Sequence, residues 1–292
     1  MKKMAMFDRV NVLLLFIVVI IVIYPLIFVI SASVSNPTLV GSGQVWLFPK
    51  EIMLDGYIQT FQYPYLRTAF LNTIFYSLGA AIISLVINLP AAYALSRSDL
   101  FGRGILTGLF AFTMFFSGGL IPTFLVVMNL GMVNTVWSII VPGAASMWNI
   151  IICRTFFQSN IPVELREAAC IDGCSDFAIF FRIILPLSAP VVAVMAMFSI
   201  VGQWNSYFSA LIYLSDMRLK PLQIILREIL VMNQTNAGIQ SALDMESAAR
   251  RMQLVQVMKY SLIVISSLPV LVVYPFFQRY FVKGVMIGAI KG

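Results

Sequence analysis

Two groups of residues in this sequence could do chemistry, and in both the chemistry is that of binding. The first is Gly202-Gln203-Trp204-Asn205-Ser206-Tyr207, where amides, an indole and a phenol interrupt an apolar run. On a continuous helix Gln203 and Tyr207 share one face, being four apart, and Trp204 lies beside it. Amide and phenol groups hydrogen-bond hydroxyls, and a flat ring packs on a C–H surface. Gln203, Trp204, Asn205 and Tyr207 therefore suit a polyhydroxylated ligand such as a sugar. Trp148 and Asn149 repeat the pairing of indole and amide in an earlier apolar run. The competing reading is that such groups only bond neighbouring helices within a bundle.

The second group lies between Asn160 and Pro190 and reads as two short helices joined by a turn. Pro162 suits a first helical position, Glu164 the acidic first turn, and Leu165, Ala168 and Ala169 give a small apolar face. Gly173, after Asp172, can take the left-handed position that ends a helix. Ser175 caps a second helix running from Phe177 to Ile184, and Pro186 and Pro190 interrupt the entry to the next apolar run. This is the chemistry of docking. Ala168 and Ala169 permit close approach, Gly173 permits a sharp turn, and Glu167 offers a charge to a basic group. Asp172 either joins that surface or only stabilises the turn.

Hydrolytic and metal chemistry have nothing to work with. The chain has no His, and Cys153, Cys170 and Cys174 lack the further ligands of a zinc site. They read as small packing residues, unlinked in a reducing compartment. No G-x-x-x-x-G-K-[ST] phosphate loop occurs.

The elements that position these groups derive from composition. Only 11% of residues are charged and 60% are apolar, against about a quarter charged in soluble domains, so this is an integral membrane protein. Charge-free runs extend over 10–49, 68–96, 104–153, 183–215 and 260–278. With no acid or base inside them, ion-coupled carriage is disfavoured, and energy must arrive from outside the membrane. A span takes roughly 20 apolar residues, so the run from Gly104 to Cys153 holds two, with a turn at Asn129–Asn134. Six spans result, over 10–31, 68–95, 104–128, 134–153, 185–214 and 257–278.

An even number of spans puts both termini on one side. Lys2, Lys3, Arg9, Arg97, Arg103, Arg154, Arg166, Arg182, Arg279, Lys283 and Lys291 share that side, which the positive-inside rule makes cytoplasmic. The outer segment 216–259 is also basic, but long loops weigh little in this rule. The net charge of +7 is thereby explained by topology and needs no nucleic acid. The first apolar stretch is longer than the roughly 7–15 residues of a signal-peptide core, so it reads as a span. Pro122, Pro142 and Pro269 should kink their helices. Leu222 to Met232 reads as a short amphipathic helix on the outer side.

Glu167-Ala168-Ala169, three residues, Gly173, nine residues, then Ile183-Ile184-Leu185-Pro186 resembles the EAA loop of ATP-binding-cassette (ABC) importer permeases at every signature position. The resemblance implies an all-α, polytopic fold of the type I importer class, a single permease domain over residues 1–292. It further implies that segment 160–184, with Glu167, Ala168, Ala169, Asp172, Gly173 and Pro186, couples the spans to an ATPase. The implied partners are a homologous second permease subunit, two cytoplasmic ATPase subunits and an extracytoplasmic sugar-binding protein. No cofactor is then expected in this chain, ATP and Mg being held by the ATPase subunits.

The C-terminal stretch from Tyr274 to Gly292, together with Ser117-Gly118-Gly119-Leu120-Ile121-Pro122-Thr123 and Trp204-Asn205, is similar to sugar-uptake permeases related to the second maltose-permease subunit. Within these it resembles the branch handling oligosaccharides and polysaccharide fragments, alginate importers included. A permease for another solute and a non-transport membrane scaffold are the alternatives.

Overall fold

The computed structural model describes residues 6–235 and 258–278. Regular structure among them is helical: α1 (Met6–Ser33), α2 (Pro37–Gly41), α3 (Asp55–Gln62), α4 (Leu66–Ser96), α5 (Arg103–Phe115), α6 (Leu120–Asn129), α7 (Trp137–Ile140), α8 (Met147–Asn160), α9 (Val163–Ile171), α10 (Asp176–Ile179), a π turn (Phe180–Ile184), α11 (Leu185–Leu187), α12 (Ala189–Trp204), α13 (Phe208–Tyr213) and α14 (Leu222–Thr235). A last helix, α15, runs over Met258–Gln278.

By length and composition α1, α4 and α15 can each cross a membrane. They coincide with the first, second and sixth expected spans. Along α1 apolar side chains are exposed all round, and only Ser31, Ala32 and Ser33 at its end are buried, as suits a helix solvated by lipid.

The other three expected spans are interrupted. Between α5 and α6 the chain bends by 113°. Gly119 stands there at φ +85°, a conformation that costs glycine little and other residues more. Pro122 falls in the first turn of α6, where its missing N–H is no loss. The expected fourth span divides into α7 and α8, because Pro142 can neither donate to the ladder nor fit its ring against the preceding turn. α8 then runs on to Asn160, carrying the helix well beyond the expected end at Cys153. The expected fifth span begins with the bend of 81° between Asp176–Leu187 and Ala189–Trp204. It stops at Trp204 and resumes as α13. Pro269 sits inside an uninterrupted α15. Of the outer segments, 236–257 lies outside the described residues, and so do 279–292 of the C-terminal stretch.

The chain forms two compact units, residues 1–67 with 225–269, and 68–224 with 270–292. In the first, Ser261 donates to the Gly56 carbonyl at 3.0 Å and shares a 3.0 Å hydrogen bond with Thr60, joining α15 to α3. Phe28 meets Tyr260 edge-on. In the second, one cluster gathers Tyr93, Cys153, Phe157, Ala169, Phe180 and Ile184. Another gathers Tyr76, Val127, Ile139, Ile140, Tyr213 and Leu214.

The break between α7 and α8 is held by one buried side chain. Asn88, on α4, donates to the Ala144 carbonyl at 2.9 Å and accepts from the Ser146 N–H at 3.0 Å. It also donates to Ser84, which receives Ser199 of α12. Backbone groups freed inside a membrane must find partners within the protein, and Asn88 supplies both a donor and an acceptor.

Candidate functional site

The loop between α8 and α12 is built around the end of α9. Asp172 closes the helix, its N–H bonding the Ala168 carbonyl. Gly173 donates to the Cys170 carbonyl and Cys174 to the Ala169 carbonyl, both at 3.0 Å, the paired bonds of a Schellman motif. Gly173 stands at φ +77°, and an added Cβ there would meet no atom of the described residues within 4 Å. Glycine is required by backbone conformation, not by crowding. Ser175 then caps α10, accepting from the Ala178 N–H.

The two alanines differ in role. Ala169 is buried in the cluster with Tyr93, Phe157 and Phe180, so it anchors α9 to its own subunit. Ala168 is exposed with Glu167, Ile171 and Asp172, and Glu167 makes no ion pair among the described residues. Ile171 and Phe177 are 86% and 79% exposed, so an apolar surface flanked by the carboxylates of Glu167 and Asp172 stands open beside the turn. Pro186 is exposed in α11. The bend comes two residues later at Ser188, which is fully buried and returns both its N–H and its hydroxyl to the Ile184 carbonyl, at 3.0 and 2.7 Å. Prolines 186 and 190 withdraw two donors, and Ser188 bonds what is left.

An ion network ties this loop to the end of α4. Arg97 clasps Asp99 through Nε at 3.0 Å and Nη2 at 2.6 Å. It also bonds Asp176 at the start of α10, and Arg166 of α9 reaches Asp99 at 2.7 Å. Arg97 and Arg166 hold the Asp99 carboxyl well below the usual carboxylate range. The depressed value means that the pairing is present above ordinary carboxylate pKa values and is lost only as pH falls through the depressed one. The network should therefore be constant from about pH 5 to 8. Since 47% of the Asp99 side chain is open to solvent, its contribution to stability is small and its role is alignment. Asp99→Asn is expected to change thermal stability by less than about 1 kcal/mol, with no new pH dependence of stability between about pH 5.5 and 8. A stability loss of several kcal/mol would make the network a structural one instead.

The residues expected to meet a ligand are not brought together on one face. α12 ends at Trp204 and Asn205 caps it, its side chain bonded back to the Val201 carbonyl at 2.9 Å. Tyr207 lies past the helix end at φ −122°, so it does not share a helix face with Gln203. Trp204 is 4% exposed and packs edge-on against Phe70, ring centroids 6.0 Å apart. The flat ring expected to face a ligand belongs to the packing, because one face of a short apolar helix must be buried whatever its residue types. Gln203 is half-buried, Asn205 and Tyr207 are exposed, and Trp148 is 60% exposed with Asn149 half-buried beside it.

The model of the binding-protein-dependent transport system inner membrane component matches residues 89–287, a stretch that takes in the α9–α10 loop, the bend at Ser188 and α12. The chain belongs to this permease family. Along 99% of its length the permease is 40% identical to the polygalacturonan/rhamnogalacturonan transport system permease protein YtcP of Bacillus subtilis, covering all of that protein. An arabinooligosaccharide transport system permease, AraQ of Halalkalibacterium halodurans, is 30% identical over 93% of this chain and 92% of its own. Among solved structures, a bacterial ABC transporter involved in the import of the acidic polysaccharide alginate contains a chain that superposes with a TM-score of 0.84. That chain is 32% identical, and the match covers 96% of this permease and all of that chain.

Three participants escape a reading of the permease's sequence. Arg97 and Arg166 register there only as topological charge, and nothing links Asp99 to Arg166, 67 positions away, or Arg97 to Asp176, 79 positions away. Asn88 did leave a signal, as an amide inside a charge-free run.

Proposed function

We propose that this permease is the membrane-spanning subunit of an ATP-driven importer that carries a sugar, an oligosaccharide or polysaccharide fragment, into the bacterial cytoplasm. The observation that carries the reading is the α9–α10 turn, with Ala169 anchored inward and Glu167, Ala168, Ile171 and Gly173 left open at one surface. An ATPase subunit docks there, and Pro186 with the Ser188 bend passes its movement to α12. The permease acts as a single domain of six spans with both termini in the cytoplasm. Its partners are a second permease subunit, two ATPases that bind ATP and Mg, and an external sugar-binding protein. The names of the relatives, spanning polygalacturonan, arabinooligosaccharides and alginate, support the cargo class. Gln203, Asn205, Tyr207, Trp148 and Asn149 are the groups available to the cargo path.

The test is purification in mild detergent with mass spectrometry of what stays bound, followed by ATP hydrolysis measured with the binding protein and a panel of oligogalacturonides, arabinooligosaccharides and alginate oligomers. Recovery of a well-folded chain without an ATPase would overturn the coupling reading. An active complex that no oligosaccharide stimulates would overturn the cargo class. Within the path, Gln203→Ala is expected to alter the ranking of sugars at unchanged stability. Trp204→Ala is expected to cost about 3–5 kcal/mol through the cavity it leaves, lowering uptake of every sugar alike. A Trp204→Ala protein of normal thermal stability would return the indole to the path.

A further inference from the structure

Beside α9, Arg97, Arg103 and Arg166 line a cavity of about 250 Å3 together with Tyr93, Phe157 and Gln158 among others. Arg154 stands one turn before Gln158 on the same face of α8, and its charged form is disfavoured first by burial and then by the charge of Arg103. Four guanidinium groups thus meet two carboxylates, and both carboxylates are taken: Asp99 by Arg97 and Arg166, Asp176 by Arg97. Arg103 and Arg154 make no ion pair and no side-chain hydrogen bond among the described residues, and the Nε of Arg154 is buried without a partner. Glu164 and Glu167 on α9 pair with neither. Nor does the sequence of the remaining segments expected on this side, 1–5 and 279–292, contain an Asp or Glu.

Holding two like charges together at a partly buried site is unfavourable unless an anion stands between them. The guanidinium fork matches phosphate oxygens in pairs, which selects phosphate chemistry over a single point anion. The cavity falls below the ~300–1,000 Å3 of drug-sized sites and suits a headgroup. Its position favours a lipid as the source of that phosphate. Arg97 and Arg154 directly follow the ends of charge-free runs at Ser96 and Cys153, the level at which headgroups lie, and basic pockets between spans on the cytoplasmic side take anionic lipids.

We propose that Arg103 and Arg154, with the remaining N–H of the Gln158 amide, whose other N–H donates to the Ser96 carbonyl at 3.2 Å, form a binding site for the phosphate of an anionic phospholipid on the cytoplasmic leaflet. The inference rests on the cytoplasmic orientation of the proposed function, but its readout is lipid retention and does not depend on uptake or cargo.

The whole transporter complex is assembled in nanodiscs of mixed phosphatidylglycerol and phosphatidylcholine, released into detergent, and the retained lipids are counted by native mass spectrometry. The wild type is expected to keep phosphatidylglycerol in preference to phosphatidylcholine. R103Q/R154Q should lower that retention at least about tenfold, a change of about 1.4 kcal/mol, and R103K/R154K should lower it less. Equal retention by wild type and R103Q/R154Q overturns the site, the result expected if an acidic side chain of a partner subunit fills it. If R103Q/R154Q fails to assemble, the wild type decides alone: no preference for phosphatidylglycerol overturns the proposal. Millimolar inorganic phosphate is added in a parallel arm. Displacement of the retained lipid by phosphate would keep the phosphate chemistry and overturn the lipid as its source.

Discussion

Replacing Gly173 with Val is expected to leave the permease inserted and folded but to lower uptake more than about tenfold. At φ +77° a β-branched residue is strained by roughly 1–2 kcal/mol or more. The turn escapes that strain by leaving the left-handed region. It then loses the bonds from Gly173 to Cys170 and from Cys174 to Ala169, and α9 rotates relative to α10. Glu167, Ala168 and Ile171 would no longer present one surface. Because the space around Gly173 is open, Asn, which tolerates this conformation, should retain uptake within about twofold. Transport assays in vesicles on Gly173→Val and Gly173→Asn separate two causes. If both fail, the docking partner needs the absence of a side chain. If neither fails, the turn has no part in coupling.

A second large effect, on stability, is expected at Asn88. Asn88→Leu keeps the volume of the side chain approximately and removes its amide. The Ala144 carbonyl and the Ser146 N–H, both inside the break between α7 and α8, then lose the side chain that satisfies them. Each unsatisfied buried group costs about 1–3 kcal/mol, and the measured average for interhelical bonds in membranes, about 0.6 kcal/mol, sets the lower bound. The upper range is expected here. A side chain can find another partner when one is deleted, whereas backbone groups at a proline break are held in place. The half-life of the detergent-solubilised permease at elevated temperature should shorten several-fold. Asn88→Asp, which keeps an acceptor for Ser146 but cannot donate to Ala144 when ionised, should fall no less far. A half-life unchanged in Asn88→Leu would show that water or a rearranged loop satisfies the break.

How much of this was legible beforehand differs from one element to the next. The first, second and sixth spans were legible because a helix surrounded by lipid has to be apolar all round, so length and composition suffice. The end of α9 was legible for a similar local reason, since a left-handed turn selects glycine whatever surrounds it. The third, fourth and fifth spans were not. The sequence shows Gly119, Pro142, Pro186 and Pro190 plainly, but whether such a residue kinks, breaks or is absorbed depends on what accepts the freed backbone groups. Pro142 breaks its helix where Asn88 supplies the bonds, and Pro269 leaves α15 continuous.

The same division runs through the candidate sites. The sequence by itself determined that this is a membrane protein without acid–base machinery in its charge-free runs, and that a pair of short helices with glycine at their turn lies before the apolar run of α12. These are matters of composition and short spacing, where the cause lies within a few residues of the effect. Only the tertiary structure decided that Ala169 faces inward while Ala168 faces out, that Trp204 is packing, and that Arg97, Asp99, Arg166 and Asp176 form one network while Arg103 and Arg154 stand without carboxylates among the described residues. Pairing and burial are set by neighbours from distant parts of the chain. A charge in the sequence has the same letter whether or not its partner folds beside it.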